Sequence, residues 1–102
     1  MNRIVLPIFF LLTFVGLANA DQFQFQYMQG NETYYPSYSN VRVYNANKNE
    51  VFNGYLDKFG RVSINLPNGA YDCSVYYRRK WRNTQLHISG SNKLRAIDLQ
   101  KE

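Results

Sequence analysis

The residues best suited to chemistry in this 102-residue chain are four cations around an indole, in the run Arg78-Arg79-Lys80-Trp81-Arg82. Guanidinium groups form paired hydrogen bonds with phosphates and carboxylates, and an exposed indole can stack on a sugar or another ring. The run therefore predicts a docking point, at a hairpin tip, for an anionic envelope polysaccharide, a lipid head group or an acidic protein. The alternative is a solvated turn with Trp81 folded back onto the rim of the fold, because charge runs are usually solvated faces.

Catalysis by this chain would have to use His87, which is its only histidine. A histidine base needs a nucleophile and an orienting acid. Ser89 is near in sequence, but nothing in the pattern selects an acid. We therefore interpret His87 as a surface residue of a strand, expect no catalytic residues, and predict that the protein is not an enzyme. A small hydrolase is the less favoured alternative.

Metal and cofactor sites are not indicated by the residue pattern. The single histidine, the single cysteine and the seven acidic residues show no spacing typical of metal ligands. The chain has no glycine-rich phosphate loop and no dinucleotide-binding fingerprint. We therefore expect neither a metal nor a cofactor.

A second candidate surface lies between Tyr27 and Tyr38, where Tyr34, Tyr35 and Tyr38 cluster around Pro36. Tyrosine-rich loops form recognition surfaces in many binding proteins. Such loops also cover the edges of sheets, which a β-sandwich must protect. The sequence leaves both interpretations open.

The first 20 residues have the three parts of a signal peptide in the right order. Arg3 gives a positive start, residues 4–17 are almost wholly apolar, and Ala18-Asn19-Ala20 is a small-x-small cleavage site. The alternative is a membrane-spanning helix, which needs about 20 apolar residues; this run is shorter and is interrupted by Pro7 and Gly16. We predict a signal helix over residues 1–20 that is removed by cleavage after Ala20.

Cleavage at this point defines a mature chain of one domain, residues 21–102. The 102 residues less 20 leave 82, and loss of Arg3 leaves 11 basic against 7 acidic residues, a net charge of +4 that favours acidic partners. No cysteine lies beside the cut to carry a lipid, and no second apolar run could span a bilayer. We therefore expect a soluble monomer, secreted or periplasmic, for which nucleic acid is not an expected partner.

Alternation of apolar and polar residues runs through the mature chain and predicts β-strands. Turns recur about every 8–12 residues, which is typical of an all-β, antiparallel β-sandwich. Residues 30–40 are predicted to form a loop, residues 78–83 a charged turn, and Asp57–Gly60 a tight hairpin in which Gly60 has a positive φ. About seven strands are expected, over residues 22–27, 41–44, 51–56, 61–66, 70–77, 85–89 and 93–99.

The lone Cys73 excludes a disulfide within the chain. It alternates with Tyr71, Val75 and Tyr77 on the face predicted to be inner, so we interpret it as a buried apolar residue. An intermolecular bridge is the alternative. Without cross-links the core must come from side-chain packing, in which the many aromatic residues bury large areas.

One motif spans most of the mature chain: Val41-x-Val43, then Gly54-x-x-Asp57-x-x-Gly60-x-Val62-x-Ile64-x-Leu66-Pro67-x-Gly69-x-Tyr71-x-Cys73-x-Val75. It resembles the carboxypeptidase-regulatory-like, or transthyretin-like (prealbumin-like), β-sandwich over about residues 40–99. The resemblance implies that Pro67 and Gly69 turn the chain over the sandwich edge and that Tyr71 places its ring in the core. It also implies an accessory or binding module. The several histidines and C-terminal Tyr-Arg-Gly-Ser of the related 5-hydroxyisourate hydrolases do not occur here.

These observations together predict a small, exported, non-enzymatic β-sandwich that acts as a binding or accessory module of the cell envelope or the extracellular space. Its partner would be a protein, or a polysaccharide or lipid of the envelope. The alternative is an anion-binding protein that works through the 78–82 hairpin.

Overall fold

The computed structural model describes residues 20–99, and the regular secondary structure of these residues is entirely β. The predicted signal helix lies outside the described residues, apart from Ala20 at its end. Eight strands follow in chain order: β1 (Asp21–Gln29), β2 (Glu32–Tyr34), β3 (Asn40–Tyr44), β4 (Glu50–Tyr55), β5 (Arg61–Ile64), β6 (Gly69–Tyr77), β7 (Lys80–Ile88) and β8 (Leu94–Asp98).

The strands form two sheets of four. In the first sheet β1 pairs antiparallel with β2 and β5 and parallel with β8. In the second sheet the order is β4-β3-β6-β7, and each neighbouring pair is antiparallel. The prediction of an all-β sandwich is confirmed.

The core lies between the sheets and contains the alternate residues that the sequence pattern assigns to the inner faces. β1 contributes Phe23 and Phe25, which are 1% and 0% exposed, and burying each such side chain contributes about 1.5–3 kcal/mol. Cys73 is 1% exposed, as predicted, and burial raises the pKa of its thiol to about 12. The other buried apolar residues are Tyr27, Val41, Val43, Leu56, Ile64, Val75, Leu86, Ile88 and Leu99.

The strand count and one pairing differ from the sequence prediction. Glu32–Tyr34 lies inside the predicted loop 30–40 and pairs with the end of β1, because β1 extends to Gln29 and its backbone groups need partners there. The turn predicted over residues 78–83 is only two residues long, since β7 already begins at Lys80. β8 pairs parallel with β1, and the chain reaches it by crossing from the second sheet to the first between β7 and β8.

The tight turn predicted over Asp57–Gly60 forms, and Gly60 has a φ of 77°. The prediction of a hairpin is wrong, because β4 belongs to the second sheet and β5 pairs with β1 in the first, so the turn carries the chain from one sheet to the other. Asp57 Oδ1 accepts hydrogen bonds from the backbone N–H groups of Arg61 (2.9 Å) and Phe59 (2.8 Å). The bond from Arg61, followed by that from Phe59, holds the pKa of Asp57 below its ordinary value. A Cβ atom on Gly60 would lie 2.7 Å from the carbonyl oxygen of Phe25, so this position has no room for a side chain.

The turn at Pro67 and Gly69 carries the chain from the first sheet to the second, as the resemblance implies, but Tyr71 does not place its ring in the core. Gly69 has a φ of 151°, a conformation that favours glycine. Tyr71 is half-buried against the core, and its hydroxyl donates a hydrogen bond to the carbonyl oxygen of Pro67 at 2.6 Å. The ring therefore lies at the margin of the core and fastens the turn that precedes β6.

A buried carboxylate joins the two sheets where β1 begins. Asp21 is 0% exposed. Its Oδ1 accepts a hydrogen bond from Gly90 N at 2.8 Å, and its Oδ2 accepts from Ser89 N at 3.0 Å and Arg95 Nη2 at 2.5 Å. Arg95 Nη2 also donates to the carbonyl oxygen of His87 at 2.7 Å. Asp21 therefore anchors the connection from β7 to β8 onto the first strand.

Candidate functional site

The predicted cation run forms the tip of the β6–β7 hairpin. Arg78 and Arg79 are the two turn residues, with φ values of 55° and 68°, and Tyr77 pairs with Lys80 at the end of the ladder. Positive φ at both central positions is the geometry of a type I′ turn, whose twist matches that of the flanking strands. Because this conformation costs a non-glycine residue roughly 1–2 kcal/mol, other contacts of the hairpin must offset it.

Arg78 supplies such contacts, since it lies against three tyrosine rings. Its Cζ is 4.9 Å from the ring centroids of Tyr27 and Tyr34 and 5.3 Å from that of Tyr77. Its Nη1 donates a hydrogen bond to Gln29 Oε1 at 2.9 Å. A cation over an aromatic face is attracted by the ring quadrupole. Arg78 therefore fastens the hairpin of the second sheet to β1 and β2 of the first.

Arg82 lies between the sheets and is only 7% exposed. Its ladder partner Val75 is part of the core, so both side chains are on the inner face. The Cζ of Arg82 is 4.8 Å from the Tyr27 centroid and 5.9 Å from the Tyr77 centroid, and its Nε donates to the Tyr77 carbonyl oxygen at 2.9 Å. Arg82 and Arg78 thus close this end of the sandwich together around Tyr27.

Four residues of the run, 78–81, are exposed, and of these Arg78 packs its guanidinium on the tyrosine rings described above. Trp81 is 41% exposed, and its ring centroid is 5.2 Å from that of Tyr76. The Cζ of Arg42, on β3, is 5.0 Å from the indole centroid. The indole therefore belongs to the outer face of the second sheet and is not folded over the rim of the sandwich.

Three exposed aromatic side chains lie in register across this outer face, and we call Tyr55, Tyr76 and Trp81 the aromatic row. They are 72%, 43% and 41% exposed. Tyr76 pairs with Trp81, and Tyr55 pairs with Asn40. Asn40 precedes and Tyr76 follows the paired valines of β3 and β6, so these two residues are also opposite each other. The row crosses all four strands, which at a spacing of about 4.8 Å makes it about 14 Å long.

A second row, of polar side chains, runs beside the aromatic row: Asn53, Arg42, Ser74 and Asn83. Ser74 Oγ donates a hydrogen bond to Asn83 Oδ1 at 2.6 Å. Asn40 Nδ2 donates to Asn53 Oδ1 at 2.8 Å, and Asn40 Oδ1 accepts from Arg42 Nε at 3.1 Å. These bonds hold the polar groups in fixed orientations next to the aromatic rings.

The rest of the outer face is a shallow depression that is open to solvent. One part, of about 490 Å³, is lined by Tyr44, Lys48, Asp72, Cys73, Ser74, Asn83 and Thr84. A neighbouring part, of about 210 Å³, shares Asp72 and is lined also by Asn45, Ala46, Ala70, Tyr71 and Gln85. A face of this shape suits a ligand that lies along it better than a small molecule that must be enclosed.

The tyrosine cluster around Pro36 was predicted either to form a recognition surface or to cover a sheet edge, and its members differ in this respect. Tyr34 contacts Arg78 and donates a hydrogen bond to Glu32 Oε1, and this bond, with burial, raises the pKa of Tyr34. It therefore covers the end of the sheet. Tyr35 and Tyr38 are 39% and 67% exposed, so they remain available as a surface.

The other candidate residues do not converge on a site. His87 is exposed and pairs across the ladder with Ala70. Within residues 20–99 no three histidine, cysteine, aspartate or glutamate side chains are grouped so as to hold a metal ion. Nor does this part of the chain contain a helix long and apolar enough to cross a membrane. The predicted cleavage residue Ala18 lies outside the described range, and Ala20 immediately precedes β1.

Sequence reasoning identified Trp81 but missed the residues that surround it, above all Tyr55, Tyr76 and Asn40. The sequence does contain a signal for the two tyrosines, because an aromatic residue at a solvent-facing position of a strand is unusual. The alternation does not say which strands are neighbours or how they are aligned. The row becomes visible only when the pairing of β4, β3, β6 and β7 is known.

Comparison with known proteins bears on the fold alone. No protein-family model matches the chain. No curated protein matches it either. Among solved structures, the TIE protein of Bacillus anthracis is similar, with a TM-score of 0.57 and 18% identity over 79% of this chain. The match covers 17% of the TIE chain, and at this identity it supports a β-sandwich and nothing more specific.

Proposed function

We propose that this protein is an exported, non-enzymatic binding module whose binding surface is the outer face of the second sheet. The aromatic row carries the proposal. A folded domain normally turns large aromatic side chains inward, yet here three of them lie in register on one face while the opposite face of the same sheet forms the core. Exposed aromatic groups that cluster in this way mark an interaction surface.

The neighbouring groups favour a polar, extended ligand. The amide, hydroxyl and guanidinium groups of the polar row lie within reach of the aromatic rings and can hydrogen-bond to a ligand stacked on them. A non-catalytic role is supported by the isolated position of His87 opposite Ala70. The short, open depressions beside the row also favour contact along a surface.

The finer family assignment is part of the same proposal. We assign the chain to the transthyretin-like sandwiches on the Asp57–Gly60 turn, the Gly69 turn and the hydrogen bond from Tyr71 to Pro67. A role in the envelope or outside the cell follows from the predicted signal peptide, residues 1–20. Domains of this kind are mostly accessory modules, which agrees with a binding surface and no reaction centre.

The proposal is tested by affinity electrophoresis through native gels that contain polysaccharides, and by sedimentation with phosphatidylglycerol and phosphatidylcholine vesicles. We expect at least one of these probes to retain the protein. Retention should be lost in Tyr55→Ala and Trp81→Ala and kept in Phe59→Ala. Phe59 is the matched control because it is 49% exposed but lies in the β4–β5 turn, away from the row. Equal retention of all the variants, or no retention by any probe, would refute the proposal.

A second candidate function is anion binding at the hairpin tip, favoured by exposed Arg79 and Lys80 directly before Trp81. The variants that test this function must be chosen among the cations that do not stabilise the fold. Arg78 and Arg82 hold the fold together through Tyr27, so their replacement would confuse loss of binding with loss of stability. Arg79→Ala alone should weaken retention on heparin or lipopolysaccharide resin if the tip binds anions, and should leave retention unchanged if only the sheet face binds.

A further inference from the structure

The chemistry of the aromatic row identifies the class of ligand, on the premise that the outer face binds as proposed above. Tyr55, Tyr76 and Trp81 present ring surfaces spread across four strands, with Asn40 between the first two. Tyr76 and Trp81 are in contact, with ring centroids 5.2 Å apart, whereas Asn40 separates Tyr55 from Tyr76, so the rings form two stacking positions with a polar group between them. They suit a chain of units that each have one apolar face and a polar rim, which is the character of a pyranose ring.

The groups between and beside the rings are hydrogen-bonding groups. Asn40 and Asn53 are joined by a hydrogen bond of 2.8 Å, and Ser74 and Asn83 by one of 2.6 Å. Asn40 also donates to the Gly54 carbonyl oxygen and accepts from Arg42 Nε, and Asn53 donates to Glu50. An amide has two donor hydrogens and two acceptor lone pairs, so Asn53 and Asn83 retain capacity for a ligand. Tyrosine, tryptophan and arginine are also enriched in protein interfaces, so the side-chain types alone do not separate the two kinds of partner. The polar groups placed between and beside the rings favour a sugar polymer, because each sugar unit has hydroxyl groups as well as an apolar face.

Arg42 indicates that the bound polymer is acidic. It lies on β3, the second strand of the four, and its Cζ is 5.0 Å from the Trp81 centroid. Its side chain is 41% exposed, and its Nε is 4.0 Å from a Glu50 carboxylate oxygen. An exposed ion pair of that length is weak, so a ligand carboxylate can replace Glu50 on the guanidinium. The face thus already contains a carboxylate beside the Arg42 guanidinium.

Other cations around the face also favour an anionic ligand. Lys48 lines the depression next to the rows, and Arg79 and Lys80 precede Trp81 on the hairpin. The acidic groups facing this region are Glu50 and Asp72. On the face itself Arg42 and Lys48 equal these two acids in number, so the attraction for an anion comes from the hairpin tip and from the chain as a whole, which has a net charge of +5. A negatively charged polymer is attracted to such a surface over a distance of about 10 Å at 0.1 M salt.

We propose that the outer face binds a uronate polysaccharide, laid across the strands with sugar rings on Tyr55, Tyr76 and Trp81 and a carboxylate on Arg42. The aromatic row provides stacking area for the sugar rings. Arg42 provides selectivity for the acid over a neutral polymer, because a guanidinium donates paired hydrogen bonds to a carboxylate. The binding involves no covalent step.

Polygalacturonate and its fully methyl-esterified form are the matched probes, since they share a sugar backbone and differ in charge. Trp81 is the only tryptophan of the chain, so its intrinsic fluorescence reports on the site directly. We expect polygalacturonate to change the emission and to bind about tenfold or more tightly than the ester. Arg42→Gln should reduce that preference towards equal binding, because it should weaken binding of the acid more than binding of the ester.

The aromatic row is tested separately, with the gel assay because Trp81→Ala has no indole to report. Tyr55→Ala and Trp81→Ala should each weaken binding to both polymers by about tenfold, and Phe59→Ala should leave binding unchanged. Tyr55 is 72% exposed on the edge strand, so its replacement leaves the core intact. Thermal unfolding by circular dichroism then confirms that every variant is folded.

Each outcome decides between the two proposals. Equal affinity for the acid and the ester, or an Arg42→Gln variant with undiminished preference, overturns the assignment of a uronate. Retention by dextran sulfate or by phosphatidylglycerol vesicles without any response to polygalacturonate overturns it too. If the row variants abolish that other binding, the binding face itself stands. If no probe binds and no variant has an effect, both proposals fail.

Discussion

Replacement of Asp21 should destabilise this domain more than replacement of any exposed acid. The carboxylate is 0% exposed and accepts hydrogen bonds from Ser89 N, Gly90 N and Arg95 Nη2. Asp21→Ala leaves these three donors without their acceptor, and removal of one partner of a buried ion pair costs about 3–5 kcal/mol. Because the Arg95 side chain is 34% exposed and can reach water, we expect about 3 kcal/mol. Asp21→Asn retains one acceptor oxygen and should cost about 1.5–2 kcal/mol.

These losses are large compared with the stability of such a domain. At about 0.05–0.15 kcal/mol per residue, a chain of roughly 80 residues has about 4–12 kcal/mol. Asp21→Asn should therefore shift the unfolding temperature down by about 6–16 °C, and Asp21→Ala is expected to be marginally folded. Urea unfolding followed by Trp81 fluorescence and by circular dichroism measures both variants.

Glu50→Ala is the matched control, because its partner Arg42 is 4.0 Å away and both side chains are about 40% exposed. Exposed pairs of this kind contribute about 0–1 kcal/mol. The reasoning is refuted if Asp21→Asn loses no more stability than Glu50→Ala. It is also refuted if the loss is the same in a chain that carries Arg95→Ala, since the charged partner would then contribute nothing.

Three further predictions concern single residues. Gly60→Ala should lower the free energy of unfolding by at least about 2 kcal/mol, because its φ is positive and the new Cβ would lie only 2.7 Å from a backbone oxygen. Gly30→Ala should lower it less, because Gly30 has a φ of 62° but nothing within 4 Å of the new Cβ. Equal urea midpoints for the two variants would contradict this. Cys73, with a pKa of about 12, should react with a disulfide reagent only as fast as the domain unfolds, so rapid labelling of the native protein would show that it is accessible. Asp57 has a lowered pKa in the folded state, so its stabilising effect is present above the ordinary value of 3.8 and is lost as the pH falls through the folded value. The difference in urea midpoint between wild type and Asp57→Ala should therefore shrink between pH 6 and pH 3, and a difference that is constant with pH would show that its ionisation does not matter.

The local structure of this protein could largely be predicted from its sequence. Alternation identifies most of the strands and assigns Phe23, Cys73 and Val75 to the core, and all three are at most 1% exposed. The Asp57–Gly60 turn is equally local, because its hydrogen bonds join residues two to four positions apart. In each case the period of the strand, or the freedom of glycine, acts within a few residues of chain.

The candidate site depended on pairing that no local pattern contains. The sequence placed Arg78 and Arg82 in the same charged run as Trp81, yet those two arginines pack on Tyr27, which is about 50 residues earlier in the chain, while Trp81 lies on the outer face.

A period of two says that Arg82 and Trp81 face opposite sides of a strand, but not which side is the core. Which side of β7 is buried depends on its register against β6 and on the rings of β1 in the other sheet. The alignment of Tyr55 with Tyr76 depends on the order of the four strands. The sequence by itself determined most of the strands, the Asp57–Gly60 turn and most of the core. Only the tertiary structure decided which cations hold the fold together and which aromatic rings form a surface, because those roles depend on partners brought near by folding.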